Sequence, residues 1–216
     1  TTIFEQISRI GKAISHPKRL EIMELLSQSE RTVDSLTKET GLSQANTSQH
    51  LKALRACELI SSRRDGTSIW YRLSDDSVAD FFRALRVLAV GHLSELEKVV
   101  GEYFSGHREM AAVDKKTLTK KARAGEVSVI DVRPLHEYES GHIPGAISIP
   151  IDELEKRLAE IPKRQQVVAY CRGPYCVWSV EAVKKLEECG YRAVHLRDGV
   201  LDWRAQGYKV KTGDEP

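Results

Sequence analysis

The sequence predicts two domains: an N-terminal, mainly α domain closed by a β-hairpin, and a C-terminal α/β domain built on a parallel sheet with helices on both faces. Three observations predict this. In the first half, apolar residues recur at helical spacing, and two short helices flank a three-to-four-residue turn containing Gly41, the helix-turn-helix pattern. Immediately afterwards, Leu59 to Leu73 reads as two β-prone runs around Asp65-Gly66, a strong hairpin signal that makes the first domain a winged helix-turn-helix. In the second half, short apolar runs alternate with helical patterns, which implies parallel strands covered on both sides. A chain of 216 residues accommodates two domains of roughly 100 residues each. The division falls at 1–104 for the first domain, 105–116 for a linker and 117–216 for the second.

The totals narrow the function classes. A formal net charge of +2 argues for no polyanionic partner by itself, so any basic surface must be local. The longest apolar runs fall far short of the ~18–20 residues of a membrane span, and TTIFEQISRI lacks the apolar core of a signal peptide, so a soluble, cytoplasmic chain with no membrane partner is expected. Four cysteines in this length do not make a secreted disulfide scaffold. They are expected to be free, reactive or redox-sensing, with Cys171 and Cys176 the pair of interest.

In order along the chain, Ile3, Phe4, Ile7, Ile10 and Ile14 mark an amphipathic helix that Pro17 ends. Pro17 suits the first turn of a second helix, which buries Leu20, Ile22, Met23, Leu25 and Leu26. Thr32 to Thr40 forms a short helix stopped by Gly41, and Ser43 caps the next, Gln44 to Cys57. At 100° per residue, Thr47, Leu51 and Leu54 of that helix share the core side. Ala45, Asn46, Gln49 and Lys52 lie opposite, with Gln44 and Ser48 on the flank. The outer face is amide-rich, and no Glu occurs from 41 through 56, whereas a merely solvated face would normally carry one. Amides read adenine edges and Ser takes a base or a phosphate, so the face suits the major groove of double-stranded DNA. Arg63 and Arg64 place positive charge near the hairpin tip, where they can grip phosphates. A long helix over 75–104 follows, with an apolar stripe too wide for one domain to cover, so a homodimer through this helix and the first is expected.

HPKRLEIMELL at 16–26, LSQANTSQHLKALRACELI at 42–60 and RRDGTSIWYRL at 63–73 together resemble the ArsR-type winged helix, a family of dimeric bacterial repressors. The resemblance implies an operator as partner. It departs at one point: metal-sensing members resemble one another in a cysteine pair before the recognition helix, and the matching stretch here, Glu30 to Leu36, has no Cys. His92 and His107 do not supply the other common ligand spacing, so no metal site is assigned. Cys57 reads as a small core residue.

In the second half, a helix over 117–124 leads to a strand from Val127 ending in the charged pair Asp131 and Arg133. A strand over 147–149, a helix over 152–161, a strand over 167–170, a helix over 179–189 and a strand over 193–196 follow. Sites in such folds lie at the carboxyl ends of strands, and Cys171 sits at one. The loop after it, Arg172, Gly173, Pro174, Tyr175, Cys176 and Val177, can turn backbone N–H groups inward beside a helix N-terminus, which favours a thiolate. No Asp or Glu lies between Gln165 and Val180, and Arg172 adds positive charge. The competing reading is a small buried Cys at a strand end.

DVRPLHEYESGHIPGAISIP at 131–150 and LRDGVLDWRAQGY at 196–208 are similar to a rhodanese domain, over about residues 115 to 210. That resemblance implies that Cys171 is a nucleophile holding sulfane sulfur as a persulfide, with Asp131 and Arg133 supporting the site and His142 and Pro144 shaping a turn. The sixth loop position, commonly basic, is Cys176 here, which removes a charge that would help bind thiosulfate. It also supplies a thiol able to resolve a persulfide into a disulfide; packing under the loop is the alternative, and Cys189 reads as packing. Three functions stand. The first is a repressor sensing reactive sulfur or oxidant through Cys171, with Cys176. The second is a sulfurtransferase with an attached regulatory domain, and the third a regulator responding to arsenite or an oxyanion at the two thiols. No cofactor is implied by any of them.

Overall fold

The computed structural model describes residues 2–104 and 115–214. The chain divides into two compact units, Thr1–Leu85 and Arg86–Pro216, and the division falls within a helix.

The first unit opens with α1 (Thr2–Ile14) and α2 (Pro17–Gln28). His16 starts α2 by accepting the Lys18 N–H at Nδ1, 3.1 Å away, and Pro17 occupies a first-turn position where its missing N–H costs nothing. A short strand, β1 (Arg31–Thr32), precedes α3 (Val33–Thr40), which Thr32 caps and Gly41 terminates at φ 65°. Ser43 caps α4 (Gln44–Arg55) through the Asn46 N–H. The pair α3 and α4 is tied by a 3.0 Å bond between the Thr37 and Thr47 hydroxyls. Ile22, Met23, Leu25, Leu26, Leu36, Leu51, Leu54, Val78 and Phe82 form one core.

The hairpin consists of β2 (Ile60–Asp65) and β3 (Ser68–Leu73), and β1 adds to β3 antiparallel to complete a three-stranded sheet in the order β1-β3-β2. Its turn lies one residue later than expected. Asp65 pairs with Ser68, so Gly66 and Thr67 are the two central residues. Only Gly66, at φ 58°, has a positive φ, the pattern of a type II′ turn, in which glycine takes the first central place. The long helix expected over 75–104 is interrupted. It forms α5 (Asp76–His92) and α6 (Ser94–Phe104), separated at Leu93. Gly91 weakens this turn, because glycine loses the most backbone freedom in a helix, although Leu93 N–H still reaches Ala89 O at 2.9 Å and Glu97 N–H reaches Leu93 O at 3.1 Å.

The second unit contains α7 (Lys115–Arg123), β4 (Val127–Asp131), α8 (Leu135–Ser140), β5 (Ala146–Ser148), β6 (Gln166–Tyr170), α9 (Trp178–Glu188), β7 (Arg192–His195) and α10 (Val200–Ala205). All four strands are parallel, in the order β5-β4-β6-β7. Alternation along the strands makes two cores. Val167, Ala169 and Ala193 face Ala182, Val183 and Leu186 of α9, while Val129, Val168 and Val194 face Leu118 of α7, Tyr138 of α8 and Trp203 of α10. The helix expected over 152–161 is replaced by two 3₁₀ turns, Leu154–Lys156 and Leu158–Glu160. Pro162 holds Ile161 in an extended conformation, and the ten residues left between Pro150 and Ile161 turn tightly to bury Leu154 and Ile161. Residues 105–114 of the expected linker, His107 among them, lie outside the described residues.

Leu54 is fully buried where α4 meets the first core. Leu54→Ala is expected to destabilise this domain by about 2–5 kcal/mol, read from the urea midpoint of the circular dichroism transition.

Candidate functional site

Two places in the structure carry chemistry. On α4, Thr47, Leu51 and Leu54 are buried, and Gln44, Ala45, Asn46, Ser48, Gln49 and Lys52 are exposed. Gln44 Nε2 donates to Asp34 Oδ1 at 3.1 Å, which steadies the first turn of the helix and occupies part of that amide. Near the tip of the hairpin, the charges are less free than their sequence suggests. Arg63 pairs with Glu30 at 2.8 Å and Asp65 at 3.1 Å, and its guanidinium lies 5.7 Å from the Trp70 ring centroid. Arg64 Nε donates to the Gly66 carbonyl at 3.1 Å. Exposed pairs of this kind are worth only about 0–1 kcal/mol, so a phosphate can displace the carboxylates. Beside α4, a groove of about 340 Å³ is lined by Ser48, Leu51, Lys52, Arg55, Ala56 and Tyr71. Sequence reasoning missed Arg55 and Tyr71; the signal for Arg55 was its position one turn beyond Lys52.

The second place is the loop after β6. Cys171 continues the alternation of Val167 and Ala169, so its side chain enters the core under α9 and is 1% exposed. Its Sγ–H donates to the Cys176 carbonyl at 3.3 Å, which sets the Cys176 thiol beside it. Cys176 is half-buried, and its N–H closes a turn onto Gly173 O at 3.1 Å. The loop amides do turn inward as expected. The N–H groups of Ser179 and Gly173 face the Cys171 sulfur, and those of Trp178 and Arg172 face the Cys176 sulfur. Trp178 and Ser179 begin α9, so its N-terminal amides belong to this cradle.

The loop, however, favours ionisation of the other sulfur than expected. Burial pushes the Cys171 thiol well above the ordinary range, and the Cys176 thiol beside it adds to the effect. Cys176 is lowered, chiefly by the neighbouring Cys171 thiol, with the Trp178 and Arg172 amides and the Arg172 charge contributing. The expectation of a solvent-reachable thiolate at Cys171 is thus corrected: strand alternation seals that sulfur, and desolvation keeps its proton on.

Arg172 is also committed elsewhere. Its Nη2 meets Glu137 Oε1 at 2.6 Å, its Nε lies 3.1 Å from both Glu137 oxygens, and its guanidinium stacks 4.4 Å from the Trp178 ring centroid. Glu137, fully buried on α8, supplies the carboxylate that the local sequence lacked. Asp131 and Arg133 form a buried pair at 2.6 Å, and Arg133 Nη2 donates to Gly141 O at 2.7 Å, so they brace the end of β4. His142 is buried, with Nδ1 2.9 Å from Tyr138 O and its ring stacked on Tyr138 at 3.8 Å. Gly199 lies against the loop: a Cβ there would collide with the Arg172 carbonyl and come within 2.8 Å of Gly173 N. Glu137 and Gly199 were missed because each is more than two dozen residues from the loop it holds. Pro174 and Tyr175 are half-buried, and Val177 is exposed. Cys57 packs at the edge of the first core, whereas Cys189, expected to pack, is exposed at the end of α9. Among the described residues, no group of three or more His, Cys, Asp or Glu side chains is placed to hold a metal ion.

A helix-turn-helix completed by an antiparallel wing is a DNA-reading architecture, and a cysteine at the end of a central parallel strand is the layout of a rhodanese-like domain. The class these define is a winged-helix regulator joined to a rhodanese-like domain. Comparison with known proteins agrees. Residues 16–62 match the family model described as bacterial regulatory protein, arsR family, and residues 114–206 match the rhodanese-like domain. The chain is 39% identical over 211 residues to the HTH-type transcriptional regulator Rv0324 of Mycobacterium tuberculosis, covering 98% of this chain and 92% of that protein. It is also 33% identical over 100 residues to a sulfurtransferase of Allochromatium vinosum, covering 45% of this chain and 92% of that one. Among solved structures, the homodimeric winged helix-turn-helix DNA-binding domain Mb0332 of Mycobacterium bovis is 37% identical, with a TM-score of 0.41 over 42% of this chain and 84% of that one. The chain belongs to the arsR family of DNA-binding regulators and carries a rhodanese-like domain in its second half. No helix among the described residues is long and apolar enough to cross a membrane.

The two thiols are expected to separate by pH. Iodoacetamide labelling rises as a thiol ionises, so Cys176 should label with a midpoint below that of a free cysteine and Cys171 only well above it, as read by peptide mass spectrometry across pH.

Proposed function

We propose that this regulator is a homodimeric repressor whose rhodanese-like domain responds to reactive sulfur or a related oxidant through the Cys171 and Cys176 pair. The observation that carries the reading is the pairing itself: two thiols set side by side in one loop, tied by the Cys171 Sγ–H on the Cys176 carbonyl. Oxidation to a Cys171–Cys176 disulfide removes the thiolate and reshapes the loop, and this state has altered operator affinity. Asp131, Arg133, Glu137 and Gly199 hold the loop in place rather than touching the sulfur chemistry.

Operator reading falls to Gln44, Ala45, Asn46, Ser48, Gln49 and Lys52 on α4, with Arg63 and Arg64 of the hairpin on phosphates. The groove beside α4 adds Arg55 to the phosphate contacts, since its charged lining, Lys52 and Arg55, is basic. Dimerisation is supported by the apolar surface left uncovered in one chain. Ile3, Phe4 and Ile7 of α1 are 73%, 83% and 60% exposed, and Val87, Leu88, Leu93 and Val99 are exposed on the 75–104 segment. The related Mycobacterium bovis domain is a homodimer. Under this assignment of roles the domain limits are 1–104 and 117–216, joined by a linker over 105–116.

A second reading, a working sulfurtransferase, is favoured by the Allochromatium vinosum relative of that name. It predicts multiple turnovers of sulfur transfer to cyanide or a thiol. The Cys at the sixth loop position and the Arg172 guanidinium held by Glu137 leave little charge to bind a dianionic donor, which favours the regulatory reading.

Treatment with inorganic polysulfide should remove two hydrogens from the intact protein and shift operator binding in a gel assay on the same sample. Cys171→Ser should keep operator binding and lose the shift; a variant that still responds removes the two-thiol reading. Arg55→Ala should weaken binding across operator sequences and lower the slope of log affinity against log salt by about 1.

A further inference from the structure

We propose that Tyr175 fastens the cysteine loop to the last turns of α5, so that a change of loop shape is delivered to the helix that carries the exposed apolar residues Val87 and Leu88. This coupling rests on the reading of the loop as sulfur-responsive and is independent of which thiol reacts first.

Residues 86–92 of α5 group with the second unit, although they lie outside the stretch 114–206 that matches the rhodanese-like domain. Arg86 is where they meet the loop. Tyr175 Oη donates to the Arg86 carbonyl at 3.1 Å, and the Arg86 guanidinium lies 5.7 Å from the Tyr175 ring centroid. Its Nη1 is 3.7 Å from the point where a Cβ on Gly173 would stand. A carbonyl oxygen has two lone pairs, so Arg86 can accept from Tyr175 without giving up a helical bond. The loop thus meets α5 at two points, Gly173 and Tyr175, and both face one residue.

Those two points lie between the cysteines. Cys176 N–H closes a turn onto Gly173 O at 3.1 Å, and the Cys171 Sγ–H donates to the Cys176 carbonyl at 3.3 Å. When polysulfide oxidises the pair, the thiols give up two protons and two electrons and the Cys171–Cys176 bond forms. One sulfur–sulfur bond of the polysulfide breaks as it takes them up, and hydrogen sulfide and a polysulfide one sulfur shorter leave. Cys171 then has no S–H to donate, so the bond that fixes the Cys176 carbonyl is lost and the turn adjoining Tyr175 resettles. On the other side of the contact, α5 runs unbroken from Asp76 to His92. Val87 and Leu88 follow Arg86 directly and belong to the apolar surface assigned to dimerisation, while Phe82 and Val78, one and two turns back, share a core with Leu51 and Leu54 of α4. A helix of this length moves as a rigid piece, so a displacement at Arg86 reaches both.

Tyr175→Phe removes the hydroxyl and keeps the ring. In the reduced full-length protein, amide hydrogen exchange over residues 86–92 should be about fivefold faster in Tyr175→Phe than in the wild type, the protection that one hydrogen bond of ordinary net strength gives. Inorganic polysulfide is then added, and samples matched by intact mass for the loss of two hydrogens are compared in an operator gel assay. The wild type should shift its operator affinity and change its exchange over 86–92, and Tyr175→Phe should lose the shift. Equal exchange over 86–92 in the two reduced proteins overturns the coupling, and so does a Tyr175→Phe protein that shifts operator affinity as the wild type does. The wild-type comparison needs no variant to fold: a disulfide that leaves exchange over 86–92 unchanged overturns the coupling while leaving the sulfur-responsive pair intact. A wild type that loses no hydrogens overturns the sulfur reading, and the coupling with it.

Discussion

The placing of two thiols side by side at the end of β6 governs what the second domain can do. A lone buried thiol keeps its proton, because an apolar interior disfavours the charged form. A pair can divide the problem, with one sulfur retaining its proton and donating it while the other carries the charge. Here burial raises the Cys171 thiol, while the neighbouring Cys171 and the loop amides lower Cys176.

The rest of the domain keeps that geometry in place. Four parallel strands set Cys171 at the carboxyl end of a central strand, and α9 begins within the same loop, directing its first amides at the sulfurs. Glu137 fixes the Arg172 guanidinium against Trp178, and Gly199 allows a neighbouring backbone to press against the Arg172–Gly173 peptide. The buried Asp131–Arg133 pair fastens β4 to the segment around Gly141. Buried pairs of this kind add little net stability once desolvation is counted, and their effect is to specify one arrangement.

In the first domain, the governing constraint is the division of α4 into a buried side and a polar side. Leu51 and Leu54 anchor it in the core, the Thr37–Thr47 bond sets its angle to α3, and the Ser43 cap begins it at the right residue. The exposed amides then project together. The wing is stiffened by ion pairs that reach back to Glu30, so its positive charge is held in position but remains exchangeable for phosphate.

Much of this was legible from local sequence. Helix periodicity, Pro17, Gly41 and Ser43 define the helical segments, and the β-prone runs define the hairpin, since these signals act over a few residues at a time. The inward-turned amides of the loop were likewise legible, because Gly173 and the start of a helix are adjacent to Cys171. Tertiary structure decided which sulfur is favoured to ionise, that Arg172 is held by Glu137, that β1 joins the wing sheet, and that the segment over 152–161 forms 3₁₀ turns. Each of these depends on burial or on a partner distant in the chain. An ionisation state in particular is set by the whole surroundings of an atom, and only the packed fold supplies those.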